Sequence, residues 1–210
     1  IVQLIALLTV ITLAPSILVM MTSFVRIVIV LSLLRVALGT QGTPPNTVII
    51  SLALFMTFFI MQPTLQQVWD KGLAPLISEI ITEEQAFERS IEPIHAFMMR
   101  HVRDKDLNLF MQIANAPKVA QEKETPLRAL IQAYMISELR RAFEIGFLIF
   151  VPFLIIDMVV ASVLMSIGMM MLPPVMISLP FKLIFFVLVD GWYLVVGSLV
   201  KSFSIAVPGT

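Results

Sequence analysis

Residues 166–180 read SIGMMMLPPVMISLP, with three consecutive methionines between a glycine and a Pro-Pro pair. Long apolar segments lie on both sides of it. Pro173 and Pro174 lack backbone donors and disfavour helix in the residue before them, so we expect one helix to end here and another to begin. Because successive helical residues point about 100° apart, the three methionines share no helical face, but they could converge at the tip of such a hairpin.

Methionine at this tip has two interpretations. Its side chain is unbranched and polarizable, and it suits an apolar seal that deforms and closes again. Methionine is also common packing filler, and this chain of 210 residues contains 14 of them. The residues alone leave both interpretations open.

The composition indicates a membrane-embedded protein. Hydrophobic residues make up 59% of the chain, which is high for a soluble domain. The 14 basic and 14 acidic residues balance, so no basic surface points to nucleic acid. The absence of cysteine excludes a disulfide framework and thiol chemistry. The chain begins with Ile1 rather than methionine, for which a cleaved signal sequence or a disordered N-terminus would account.

The charges are concentrated in the middle of the chain. All acidic residues except two, and all basic residues except four, fall within residues 70–144. We therefore predict an all-α protein in which two membrane-associated apolar hairpins, residues 1–69 and 145–210, flank a polar helical region at residues 70–144.

The N-terminal hairpin turns at a cluster of helix breakers. Residues 39–46 read GTQGTPPN, and Gly39, Pro44 and Pro45 are the strongest breakers among them. Charge-free stretches on each side are long enough to cross a bilayer.

In the polar region, prolines such as Pro93 are predicted to separate short helices. Glu138 falls on the apolar stripe of the last of these helices and requires a cation or a donor. Arg140 and Arg141 are local candidates, an arginine of another subunit is equally plausible, and a partly solvated pair is the plainer alternative.

The C-terminal segments carry three charges that lipid would not tolerate unpaired. These charges are Asp157, Lys182 and Asp190. Asp157 with Lys182 is the preferred pair, since the two lie on opposite arms of the hairpin. Their unequal distances from the turn leave a contact between subunits equally plausible.

Motifs of enzymes and metal sites are absent. The sequence contains no Walker A motif, no G-x-G-x-x-G and no H-E-x-x-H. His95 and His101 are six residues apart, which is not one helical face, so a zinc site is not expected. We predict no catalytic residue, no metal and no cofactor.

Three long motifs resemble the FliP family of the type III secretion export gate. They are LGTQGTPPN at residues 38–46, SELRRAFEIGFLIFVPFLIIDMVVASVLM at 137–165, and GMMMLPPVMISLPFKLIFFVLVDGW at 168–192. The resemblance covers residues 1 to about 203. Virulence injectisome relatives share the methionine run and D-G-W, whereas the form of the first loop is more similar to the flagellar branch. Gly42 departs from the glutamine usual in the family.

The resemblance implies a subunit of a homo-pentamer that joins FliQ and FliR and works with FlhA and FlhB. Such an assembly lies in the bacterial inner membrane at the flagellar basal body, with the polar region exposed to the periplasm. It passes unfolded flagellar proteins, and its members are made with a cleaved signal peptide. By match, Met169, Met170 and Met171 would line the pore gate.

The resemblance also suggests where subunits meet. The matching positions, where assembly contacts are expected, are Phe97, Phe110 and Glu138, and we add Arg141, the helix neighbour of Glu138. A virulence injectisome subunit and a small-molecule transporter or ion-channel subunit are the alternative functions. Transporters commonly contain inverted repeats, which this sequence does not display.

Overall fold

A computed structural model describes residues 19–115, 125–169 and 173–204, and all regular structure within these ranges is helical. The all-α prediction is confirmed. The helices are α1 (Phe24–Leu38), α2 (Asn46–Val68), α3 (Ala74–Ile77), α4 (Glu83–His101), α5 (Asp104–Ile113), α6 (Leu127–Ser166), α7 (Pro174–Leu188) and α8 (Gly191–Ser204). A π-helical turn, Trp69–Leu73, joins α2 to α3.

Local signals set most helix ends. Gly39 ends α1 in the left-handed conformation, at a φ of 75°, where its amide donates to the Val36 carbonyl. A capping box of Thr82 and Gln85 begins α4. Pro93, however, lies inside α4 and does not divide it, which corrects the prediction made from that proline. Pro93 is buried, and the packing of its helix outweighs the loss of one backbone hydrogen bond.

Helix α6 is the longest element and extends across the predicted boundary between residues 144 and 145. Its 40 residues correspond to about 60 Å, roughly twice the hydrocarbon thickness of a bilayer. Charged residues are frequent up to residue 144 and rare after it, but no helix-breaking residue lies at that point. Pro152 lies within the helix and does not end it. The polar region and the C-terminal hairpin are therefore joined by one continuous helix.

Helix α1 packs against α2 and α6. Apolar side chains along it, such as Ile27, Val30 and Leu34, are buried in the core. By length and composition, α2 with its extension to Ile77 could cross a membrane, and so could α6. Helices α7 and α8 meet at a bend of 63° and could form a third, broken span, counting only the described residues.

Candidate functional site

The methionine turn lies between α6 and α7. Gly168, at a φ of 80°, and Met169 follow the end of α6, and Pro173 precedes α7. Met169 is 45% exposed. Met170 and Met171 lie outside the described residues.

The two arms that carry this turn are mostly uncovered. On α6 and α7 many large apolar side chains face outward in the single chain, among them Leu154, Ile155, Met158, Val159, Met165, Phe181, Ile184 and Val187. A surface of this size in one chain is typical of a lipid contact or a protein interface.

A charged cluster fixes the two arms to each other. The Nζ of Lys182, on α7, lies 2.6 Å from Oδ2 of Asp157, on α6. The hydroxyl of Ser178, one helical turn before Lys182, donates to Oδ1 of Asp157 at 2.5 Å. The Lys182 side chain is 4% exposed and that of Asp157 is 28% exposed. The structure thus brings the preferred pair together within one chain.

Lys182 also reaches the N-terminal hairpin. Its Nζ donates to the carbonyl of Ala37, in the last turn of α1, at 3.2 Å. The loop after α1 is ordered by Arg35, which donates to the Pro44 carbonyl at 3.1 Å and to the Asn46 side chain at 2.6 Å. Pro45 is the residue immediately before α2. The breaker loop at residues 39–46 and the C-terminal hairpin therefore lie side by side.

Asp190 does not share in these contacts. Asp190 lies at the bend between α7 and α8, where its φ is 50°, and it is exposed to solvent in the single chain. Among the described residues no ion pair is formed by Asp190, so the pairing between subunits is the alternative that stays a prediction for it. The left-handed backbone that makes the bend turns it outward.

Glu138 is paired with a residue that the sequence did not suggest. It is fully buried and binds Arg26 of α1 through both carboxylate oxygens, with Nε of Arg26 donating to Oε2 at 2.7 Å. Arg26 Cζ lies 3.7 Å from the centre of the Phe203 ring, and its Nη1 donates to the Ser202 hydroxyl at 2.9 Å. Arg140 instead pairs with Glu144 on the surface.

Two of the expected subunit contacts are inside the chain. Glu138 and Phe97 are buried, with Phe97 packed among the rings of His101, Tyr134 and Phe203. The chain itself therefore already covers these two side chains, and their predicted role in subunit contacts stays a prediction. Phe110 and Arg141 are partly exposed and remain available to a partner.

The histidines make backbone contacts. His95 Nε2 lies 3.0 Å from the Thr125 carbonyl, and the buried His101 lies between the carbonyls of Phe97 and Phe203, at 2.8 and 3.3 Å. Loss of water around the ring lowers the pKa of His101 below its ordinary value of 6.5, and the charges of Arg26 and Arg100 act in the same direction. Within the described ranges no three His, Asp or Glu side chains converge as metal ligands would.

Sequence reasoning missed the Arg26–Glu138 pair and the Ala37 contact of Lys182. A signal for the first was present, because Arg26 interrupts an otherwise uncharged apolar run and Glu138 lies on an apolar stripe. Each of these charged residues needs a partner when it is buried. Because they are 112 residues apart in the sequence, no local pattern indicated that they pair with each other.

These features define a class: an all-helical, membrane-associated protein whose described part contains a buried charge network and no metal-ligand cluster. The sequence profile of the FliP family matches residues 7–199. Flagellar biosynthetic protein FliP of Caulobacter vibrioides is 60% identical over 203 residues, covering 97% of this chain and 76% of the relative. The protein of the same name in Bacillus subtilis is 59% identical over 202 residues, covering 96% and 91%.

This chain belongs to the FliP family, as its motifs predicted. FliP is not a family of enzymes.

Proposed function

We propose that this chain is a pore-forming core subunit of the flagellar type III export gate, a membrane component of the basal body. Membership of the FliP family and the name of its relatives, flagellar biosynthetic protein, support the flagellar branch over the injectisome alternative. In this proposal five copies of the chain form a homo-pentamer, which joins FliQ and FliR in the bacterial inner membrane. FlhA and FlhB deliver unfolded flagellar proteins to the gate, and the polar region faces the periplasm.

The observation that carries the proposal is the position of the methionine run between two apolar, largely uncovered helical arms. Several copies arranged around an axis would bury these arms against each other and gather the methionines at one constriction. An apolar ring of this kind blocks ions by dewetting. It still yields to an unfolded polypeptide of any sequence, because thioether side chains are flexible and form no specific polar contact.

The test is ion conductance of the assembled complex in a bilayer. Replacing Met169, Met170 and Met171 together by Ala should raise resting conductance while the complex is recovered in normal yield. Met158→Ala, which removes an exposed methionine from α6 far from the turn, is the matched control. Background conductance in the triple variant, with normal complex yield, would disprove the gate.

A further inference from the structure

The loop at residues 39–46, which the proposed function does not use, lies against the helix that leaves the methionine turn. A Cβ added to Gly39 would lie 3.9 Å from Nζ of Lys182 and 4.0 Å from the Leu179 side chain. Farther along the loop, Nε2 of Gln41 lies 3.8 Å from the sulphur of Met176, in the first turn of α7. Two points of the loop thus lie close to two successive turns of α7.

Lys182 links these parts chemically. Its ammonium binds the Asp157 carboxylate on one side and the Ala37 carbonyl on the other. Ala37 is in the last turn of α1, where carbonyl groups lack helical partners and the helix dipole favours a cation. The carboxylate alone would hold α6 to α7, whereas the carbonyl contact ties both arms to the end of α1 and the loop that follows it.

We propose that Lys182 is a positioning residue that clamps the α6–α7 hairpin onto the C-terminal end of α1, beside the loop at residues 39–46, and that release of this clamp accompanies opening of the gate. The inference rests on the proposed function, since it concerns the same hairpin. A cation held by two different elements resists movement of either one, and a buried lysine that loses one partner is strongly disfavoured. The end of α1 therefore holds the hairpin in place through Lys182.

The first experiment removes the charge. In the assembled complex, Lys182→Met should raise resting ion conductance within the range of about five- to 150-fold that coupling between two sites typically produces. Lys182→Arg keeps a cation that can bind both partners and should retain conductance near that of the wild type. A merely structural role would lower complex yield in Lys182→Met without raising conductance per complex, and that result would overturn the inference.

The second experiment does not depend on loss of a buried charge. Gln41→Cys with Met176→Cys places two thiols in a chain that has no cysteine of its own. A dimaleimide with a reducible link is suitable for joining the two thiols. The native contact joins the ends of the long side chains of Gln41 and Met176, so the shorter cysteines leave a gap that the reagent must span. Joining the thiols should abolish export while conductance stays at background, and reduction of the link should restore export. Each single-cysteine variant with the same reagent is the control, and unchanged export by the joined complex would refute the clamp.

The outcomes separate the two proposals. If the triple methionine variant does not conduct, the gate itself is wrong. If that variant conducts but Lys182→Met stays at background or the joined complex still exports, the gate stands and the clamp is wrong.

Discussion

Arg26 and Glu138 form a fully buried, two-pronged ion pair between α1 and α6, and Phe203 of α8 covers the guanidinium. Three helices from distant parts of the chain therefore meet at one charge pair. An arginine fork matches a carboxylate geometrically, so both ions keep their hydrogen bonds without water. This junction anchors the C-terminal part of the fold to α1.

Removal of one partner should be costly. Glu138→Gln leaves the guanidinium of Arg26 buried without its anion, and we expect a loss of about 3–5 kcal/mol of unfolding free energy. Chemical denaturation in detergent measures this. Glu144→Gln, which breaks an exposed pair on the same helix, should change stability by no more than about 0.5 kcal/mol. Equal effects of the two variants would contradict a buried junction.

His101 should make stability depend on pH. Because burial lowers its pKa, the unfolded chain takes up the proton more readily than the folded chain. His101 therefore has no effect on stability well above pH 6.5, and it lowers stability as the pH falls from 6.5 toward the depressed pKa. The measurement is the melting temperature at several pH values from about 7.5 to about 5, which is roughly the range in which histidine titrates.

The matched variants are His101→Gln and His95→Gln. His101→Gln should flatten the acid-side slope of the melting temperature, whereas His95→Gln should retain it because His101 is still present. A slope unchanged in His101→Gln would assign the pH dependence to other groups.

Gly72 permits a close approach between the π-helical turn and α4. A Cβ there would lie 2.0 Å from Oγ of Ser90 and 3.0 Å from the backbone oxygen of Ala86, which cannot move aside as a side chain can. Gly72→Ala should therefore destabilise the chain by about 1–3 kcal/mol. In the described part of the chain, no atom beyond its own stretch of helix lies within 4 Å of a Cβ added to Gly197 in α8, and Gly197→Ala should stabilise the chain by up to about 1 kcal/mol. Chemical denaturation of both variants compares them, and a neutral Gly72→Ala would mean that α4 is not packed so closely.

Phe97 tests whether the aromatic cluster belongs to the chain or to an interface. Phe97→Ala removes a ring buried among three others and should cost about 3–5 kcal/mol in the isolated chain. Phe110→Ala, at a half-buried position, should cost less in the isolated chain. Measuring unfolding and complex yield for both variants separates the two roles. A Phe97 variant that folds normally but fails to assemble would support a role of Phe97 at the interface between subunits.

Local chemistry made much of this molecule predictable. Gly39 and the prolines near it ended one helix and began another, and Pro173 and Pro174 marked the second turn, because backbone conformation and missing donors act within a few residues. Hydrophobic composition was enough for an all-helical, membrane-associated class. The long motifs were enough for the family.

Contacts between distant residues required the tertiary structure. No spacing rule relates Arg26 to Glu138 or Lys182 to Ala37, since these partners are 112 and 145 residues apart. The interior position of Phe97 was likewise decided by the packing of the core. Sequence alone determined where this chain turns and how apolar its helices are, because those properties belong to neighbouring residues. Only the folded chain decided which charges meet, because desolvated ions must be paired by whichever helices the packing brings together.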